Sequence, residues 1–547
     1  PAPAVAAVLV ALLLPLSALA APAPPAGPSH SHPVCEYEPY VAFPHPEPRR
    51  GRAFLPASPD TQVHPLLADI RLPDNPTNPA PRPALAYDRH PLYTPGRHAN
   101  FSTTEFRFNP GRLDKRDVVS SVDVPFPPSA WMDINDMGTI AQLAQAAVAR
   151  MQTWYEDGVF EWTGWWQTPV LGIAYTNLDL ALGNRVNELL IRDLLVKNDD
   201  LGWMIDKYID DQSWWAMYAL RAHQAYPNST WLEMVETINN NNTLYWDDTC
   251  GGGVLWLTYR PLIKNTITNG LYFSILTRLY RFTGNETHFD FAMNTLNWWL
   301  SWAFDADNGR VYDTLTASYA GESRDQCVRS GEQTWTYNSG AFLFGLADLW
   351  YATGDERVLD LGRSIAYAAM RDYVPDAATG VLVEACEDDP PPEEGKPPAC
   401  QQDETIFKGI LMLGMAELYL ARPDPNIYNF VNTQLLSNVY NNVDDSWLFG
   451  MWWGGPWNET TAGPKTQLNA ICLISAAATI NADYLSRAGQ SVAVGSATDQ
   501  IAVPESTAKG EAGSTDRSVT SRAARAGWPG KAVLAAVMGA GGAVLWA

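Results

Sequence analysis

Apolar positions recur at helical spacing through the middle of the chain, and one stretch of that pattern repeats. Residues 276–289 read L-T-R-L-Y-R-F-T-G-N-E-T-H-F, and residues 346–359 read L-A-D-L-W-Y-A-T-G-D-E-R-V-L, an offset of 70 residues. A looser copy, A-L-R-A-H-Q-A-Y-P-N-S-T-W-L, starts at Ala219. Leu276 and Leu279 stand one helical turn apart, as do Leu346 and Leu349, so each copy opens with an amphipathic helix. The Thr-Gly step stops that helix, because glycine accepts the left-handed conformation a C-terminus needs. Asn285 or Asp355, the next residue, can then cap a second helix. Helical hairpins repeated at this spacing predict a stacked array, either an open solenoid or a closed ring. The stretch from 117 to 487 holds roughly six hairpins of about 60 residues, which fits an all-α (α/α)6 toroid. In such a ring the loops at one end of the inner helices make the cleft.

The flanks lack this periodicity. Residues 22–116 are rich in Pro, Arg and His and read as a disordered leader. The leader closes on Lys115-Arg116, either a processing site or an ordinary linker. Residues 488–531 form a Ser/Ala/Thr/Gly-rich spacer. Residues 1–21 are apolar and end in Ser17-Ala18-Leu19-Ala20-Ala21, the small-residue pattern of a signal peptide. Residues 532–547 are an uncharged apolar tail behind a polar spacer, the pattern of a GPI-anchor signal. These ends predict a secreted protein held at the outer face of the plasma membrane or in the cell wall by a lipid anchor.

Composition narrows the partners. Asp and Glu number 60 against 37 Lys and Arg, a net charge of -23, which disfavours nucleic acid and anionic membrane surfaces. A neutral glycan is compatible with it. Five sequons, at Asn100, Asn228, Asn241, Asn285 and Asn458, fit a secretory route, as do six cysteines. Cys386 and Cys400 bracket an acidic, proline-rich loop and are the first expected disulfide; Cys250 and Cys327 are the second. Cys472, in an apolar helical run, is expected to be a free core thiol, and Cys35 lies in the leader. His223 and His288 show no metal-ligand spacing, and no metal or other cofactor is expected.

The chemistry centres on Asp210-Asp211 in Y-I-D-D-Q-S-W-W, residues 208–215. Carboxylate pairs do acid/base and nucleophilic work at glycosidic bonds, with the two carboxyls about 5–5.5 Å apart in retaining enzymes and about 6.5–9.5 Å apart in inverting ones. Adjacent residues on a helix point in different directions, so the pair serves best at a helix start. There one carboxylate can accept amide hydrogen bonds and stay ionised, while its neighbour, facing that charge, holds a proton. The plainer reading is an N-cap followed by an acidic N1 residue, common at any helix start. Trp214 and Trp215 follow at once. Their flat indole faces would suit the CH-rich face of a sugar ring, although most of the 20 tryptophans between Trp131 and Trp457 belong in the core.

With its neighbours, this block resembles glycoside hydrolase family 76, the α-1,6-mannanase family, and within it the fungal GPI-anchored cell-wall branch. The resemblance runs from about 130 to 480. It includes C-G-G-G-V-L-W at 250–256, K-N-T-I-T-N-G at 264–270, L-Y-R-F-T-G-N-E-T at 279–287, W-T-Y-N-S-G at 335–340 and D-E-T-I-F-K-G-I at 403–410. It implies an (α/α)6 barrel and retaining chemistry, with Asp210 as nucleophile and Asp211 as general acid/base. It further implies action on α-mannosides of GPI glycans or wall mannan, by hydrolysis or by transfer to a β-glucan acceptor, in wall biogenesis. Asn269, Trp335, Tyr337 and Asn338, with Trp214 and Trp215, are the candidate substrate contacts. Asn269, like Lys264, could equally belong to a helix start. Phe407-Lys408 reads as packing and dipole complementation, and Gly251-Gly252-Gly253 as a turn or a close backbone approach. The rival reading is a non-catalytic glycan-binding wall protein, which has no need of two adjacent carboxylates.

Overall fold

The computed structural model describes residues 62–67, 70, 132–199, 207–258, 263–317, 327–329, 333–387, 400 and 403–489. Among them run twelve α-helices: α1 (Met137–Gln152), α2 (Gln167–Leu182), α3 (Glu188–Asp199), α4 (Ile209–Ala225), α5 (Ser229–Thr243), α6 (Thr266–Thr283), α7 (Glu286–Trp302), α8 (Thr336–Thr353), α9 (Glu356–Asp372), α10 (Phe407–Ala421), α11 (Pro425–Asn441) and α12 (Pro464–Arg487). Short strands occupy the connections: β1 (Tyr155–Glu156), β2 (Val159–Phe160), β3 (Ile263–Asn265), β4 (Phe304–Asp305), β5 (Arg310–Val311), β6 (Thr314–Ala317) and β7 (Cys327–Arg329). β3, β6 and β7 make one antiparallel sheet, and β1–β2 and β4–β5 are isolated hairpins.

The even-numbered helices close a ring. α2 packs on α4, and the chain of contacts continues through α6, α8, α10 and α12 back to α2. The odd-numbered helices lie outside it: α3 on α2, α5 on α4, α7 on α6, α9 on α8, α11 on α12 and α10, and α1 on α12. This is the (α/α)6 ring, closed rather than an open solenoid. The burial pattern explains the two layers. α8 is buried on nearly every side from Thr336 to Leu349, whereas α9 buries one stripe that includes Val358, Leu359, Leu361, Ile365 and Ala369. Glycine sets the closest inner approach: a Cβ on Gly414 would fall 2.4 Å from the Gly340 carbonyl oxygen, so α8 and α10 cross backbone to backbone.

The repeated motif marks three of the hairpins, α4–α5, α6–α7 and α8–α9. Gly284 and Gly354 end α6 and α8 at φ 69° and 68°. Asn228, Asn285 and Asp355 cap α5, α7 and α9, each accepting a backbone N–H at 3.0 Å. Because each inner helix turns back into an outer one, the six inner helices run in one direction. Their N-termini meet at one mouth, where their dipoles present positive ends.

Away from the mouth, buried charges tie four inner helices together. Arg278 of α6 donates to Asp348 of α8 at 2.7 Å, and Arg281 pairs with the same carboxylate. Arg221 of α4 pairs with Glu417 of α10, which Arg278 also approaches at 3.5 Å.

Cys386 and Cys400 are disulfide-bonded, with Cα atoms 5.1 Å apart, and Cys472 is a buried free thiol. Cys250 also forms a disulfide. The side chain of Cys327, its expected partner, lies outside the described residues, as do Cys35, Asn100, Lys115-Arg116, residues 1–21 and residues 490–547. Of the other sequons, Asn228 and Asn285 are helix caps, Asn241 lies in α5, and Asn458 accepts from Thr460 in a turn.

The leader requires a correction. Gln62–Leu67 and Ile70 are ordered against the helical domain. The His64 N–H donates to Asn297 Oδ1 of α7 at 2.6 Å, and Asn297 Nδ2 donates to the Gln62 carbonyl at 3.0 Å. Leu67 and Ile70 join the core at 1% and 2% exposure. The physical reason is the short apolar run V-H-P-L-L-A-D-I, which the surrounding Pro/Arg/His composition masks.

Two buried carboxyls predict an acid-side stability optimum. Asp179 is pushed up to about 7, first by burial; hydrogen bonds from Tyr226 (2.5 Å) and from the Asn187 N–H and Nδ2 offset only part of that. Glu384 is likewise raised to about 7, first by burial. A raised folded-state pKa means the folded protein binds more protons, so this stability is complete below the unfolded value and is lost as pH rises through about 7. His223, lowered by burial, acts in the opposite sense but only below its unfolded value of 6.5. The melting temperature should therefore fall between about pH 6 and about pH 8, and Asp179→Asn should flatten that fall. A flat or rising wild-type curve would contradict the assignment.

Candidate active site

Asp210 and Asp211 occupy the first turn of α4, directly after its N-terminal residue Ile209. They stand at the mouth, Asp210 half-buried and Asp211 buried. The Asp211 N–H donates to Asp210 Oδ1 at 3.2 Å, and Trp256 Nε1 donates to the same oxygen at 3.1 Å. One carboxylate oxygen is thus held by two donors.

Trp256 is delivered by a loop that the C-G-G-G and K-N-T-I-T-N-G motifs build together. Residues 245–257 double back, with Trp246 bridging to Val254 and Tyr208 to Leu257. The tip turns through Cys250, Gly251, Gly252 and Gly253, all at positive φ. Lys264, fully buried, donates to the carbonyls of Asp247 (2.5 Å), Thr249 and Gly252 (2.7 Å), and lies 3.0 Å from Asp247 Oδ1. Burial pushes the Asp247 carboxyl up, but the Lys264 charge and the hydrogen bonds from Lys264 and Thr249 outweigh it, and its pKa lies below the ordinary value. Asn269 accepts from the Val254 N–H at 2.8 Å and donates to the carbonyls of Val254 and Asn265.

Several expectations change as a result. Asn269 is buried with its carboxamide committed to this loop, so it is a loop anchor and not a substrate contact. Trp214 and Trp215 are not sugar platforms: they are 1% and 0% exposed. Trp214 stacks on Trp166 at 6.0 Å, and Trp215 leans on Trp165 at 5.4 Å. Their indoles pack on the Trp165-Trp166 pair that leads into α2. Lys408 is buried in a pair with Glu387 at 2.5 Å, with Trp453 beneath it at 4.7 Å, rather than answering a helix dipole.

The W-T-Y-N-S-G segment does reach the mouth. Trp335 caps α8, Tyr337 lies flat on Phe407 at 3.8 Å with 3° between ring planes, and Trp335 meets Phe407 edge-on. Asn338 is buried and donates to Asp313 Oδ1 at 2.8 Å, so it positions Asp313. The Tyr337 phenol is pushed well above its ordinary value, first by burial and then by the charges of Asp313, Asp210, Asp403 and Glu384. Asp313 and Glu384 are hydrogen-bonded to the residues on either side of Tyr337, Asn338 and Thr336.

Asp313, Asp403 and Glu384 were not singled out from the sequence. Asp403 heads the D-E-T-I-F-K-G-I motif; it accepts from Gln167 at the start of α2 at 2.9 Å and lies 3.7 Å from Lys465 of α12. Burial raises its pKa. Glu384 accepts from the Thr336 hydroxyl and sits two residues before the Cys386–Cys400 bridge. Asp313 has no local motif. Trp162 lies five residues before α2, is 78% exposed, and has φ 66°, a region a bulky side chain rarely adopts.

Comparison with known proteins agrees with this architecture. A model of glycosyl hydrolase family 76 matches residues 136–487. Mannan endo-1,6-alpha-mannosidase DCW1 of Candida glabrata is 29% identical over 245 residues, covering 42% of this chain and 51% of its own length. The DCW1 enzyme of Saccharomyces cerevisiae is 27% identical over 282 residues, covering 48% of this chain and 58% of its own. The chain thus spans between half and three-fifths of the length of these relatives. Among solved structures, Dfg5 of Chaetomium thermophilum in complex with glucosamine superposes with TM-score 0.56 at 21% identity, covering 65% of this chain and 93% of that one. An inactive variant of an alpha-1,6-mannanase of Salegentibacter, with two adjacent aspartates replaced by asparagine and alpha-1,6-mannotriose bound, gives TM-score 0.54 at 22% identity. That superposition covers 63% of this chain and 100% of that one.

Proposed function

Because the chain belongs to glycosyl hydrolase family 76, we propose that its mouth cleaves α-1,6-linked mannosides through Asp210 and Asp211, with retention of configuration. The observation that carries this reading is the adjacent carboxylate pair on the first turn of an inner helix, one of its oxygens already held by Trp256 and a backbone amide. Asp210 attacks the anomeric carbon and Asp211 protonates the departing oxygen. Asp211 then takes a proton from the acceptor that resolves the mannosyl-enzyme. Water as acceptor gives hydrolysis; a sugar hydroxyl, such as that of a β-glucan, gives transfer. The inactive double-aspartate variant of the Salegentibacter enzyme supports the assignment, and the fungal relatives, named as mannan endo-1,6-alpha-mannosidases, support mannan as the substrate. The Cys386–Cys400 disulfide and the sequons support a secreted location, with the apolar tail as a lipid-anchor signal.

Product analysis by mass spectrometry tests this reading. The protein is incubated with α-1,6-mannooligosaccharides, with and without a β-glucan oligosaccharide. Shorter mannosides mean hydrolysis, and mannosyl-glucan conjugates mean transfer. No product in either tube contradicts the proposal and favours the glycan-binding alternative.

Two substitutions refine it. Trp256→Phe removes a donor to Asp210 Oδ1. We expect kcat/KM to fall about tenfold or more; an unchanged kcat/KM would contradict the contact's role. Trp162 offers an exposed indole face in the segment that leads into α2. Trp162→Ala should weaken binding of longer oligosaccharides by roughly three- to tenfold while leaving the melting temperature unchanged; equal affinity at every chain length would remove Trp162 from the site.

A further inference from the structure

The docked part of the leader is held like a ligand. Asn297 is 3% exposed, and both ends of its carboxamide are used. Oδ1 accepts from the His64 N–H at 2.6 Å, and Nδ2 donates to the Gln62 carbonyl at 3.0 Å. An amide and a carbonyl two residues apart are what an extended peptide offers along one edge, so this clamp reads main chain and not side chain. Selectivity comes from the residues that follow. His64, Leu67 and Ile70 are linked by successive turns, with the Leu67 N–H on the His64 carbonyl at 2.8 Å and the Ile70 N–H on the Leu67 carbonyl at 3.1 Å. That turn drives Leu67 and Ile70 into the domain core and leaves Leu66 at the surface.

The clamp sits on a helix that backs the candidate active site. Asn297 immediately precedes Trp298, whose ring lies so close to Gly253 that a Cβ there would meet it at 3.0 Å. Phe291 of the same helix meets Trp246 edge-on at 6.0 Å. α7 therefore props the loop that carries Trp256 to Asp210.

We propose that the α7 side of the domain is a peptide-binding site whose occupant is the chain's own Gln62–Leu67 with Ile70, and that it retains this segment without a covalent link when the backbone beyond it is cut. Burial of two branched apolar side chains together with a bidentate buried amide gives the contact its own driving force. The segment is thus a resident strap on the helix behind the catalytic loop, and processing of the leader, at Lys115-Arg116 or elsewhere, would leave it in place.

The test uses the full chain under limited tryptic digestion, followed by size exclusion under native conditions and mass spectrometry. Cleavage after Arg52 and after Arg71 or Arg89 frees a fragment that starts at Ala53 and contains no cysteine, so no disulfide can hold it. The fragment is expected to co-elute with the wild-type helical domain. In Leu67→Asp/Ile70→Asp, which alters only the leader, and in Asn297→Ala, co-elution should fall at least tenfold. Unchanged melting of the cut domain carrying the leader variant confirms that the domain itself stays folded. Release from the wild-type domain, or equal retention by Leu67→Asp/Ile70→Asp, would overturn the proposal.

Discussion

Replacing Asp210 with asparagine is expected to lower turnover of an α-1,6-mannooligosaccharide by about ten-thousand-fold or more while leaving binding and the melting temperature close to wild type. The carboxamide fills the same space at the half-buried mouth, and the Trp256 indole can still donate to its carbonyl oxygen. What is lost is the negative charge that attacks the anomeric carbon. The neighbouring residue should behave differently. A mannoside with an activated aryl leaving group needs no proton to depart, so Asp211→Asn should keep part of its rate on such a substrate where Asp210→Asn does not. Progress curves for both variants on both substrates separate the two roles. Loss of binding along with turnover in Asp210→Asn would reassign that residue to holding the substrate.

The largest stability effect is expected far from the chemistry, at Asp348. This carboxylate is buried, accepts from Arg278 at 2.7 Å and pairs with Arg281. Burial pushes its pKa up, but the two guanidinium charges and their hydrogen bonds outweigh burial and hold it below the ordinary value. Asp348→Ala strands two arginines, one of them deep in the ring, at a cost of about 3–5 kcal/mol. For a helical domain of this size that corresponds to a fall in melting temperature of roughly 4–7 °C. The paired change Arg278→Met/Asp348→Leu removes charge from both sides and should recover part of the loss. Thermal melts of the two variants decide it; a double variant less stable than Asp348→Ala would show that the ion pair itself, and not the stranded charge, carries the energy.

The ring was legible because its hairpins carry local punctuation. Thr-Gly-Asn and Thr-Gly-Asp place a left-handed stop beside a capping side chain, and both signals lie within four residues. Asp210 and Asp211 were legible for the same reason, since the pair and its helix start are contiguous. Trp214 and Trp215 misled because helix phase alone does not show how deep a side chain lies. In the first turns of α4 the indoles are packed on Trp165 and Trp166, whereas Trp162, in an irregular segment with no periodicity to flag it, is left in water. Asp313, Asp403 and Glu384 come together only when the ring closes, and a single sequence without a contact map does not register that. The docked leader segment failed to register because eight residues of apolar pattern were read within the 95 of the Pro/Arg/His-rich leader, residues 22–116.

The central claim is that Asp210 becomes covalently bonded to mannose. The most direct measurement quenches the enzyme with acid during turnover of an α-1,6-mannooligosaccharide and maps its peptides by mass spectrometry. The expected result is a mannosyl adduct on the peptide carrying Asp210, absent from Asp210→Asn. An active enzyme that shows no adduct, or one bonded at a residue other than Asp210, would contradict it.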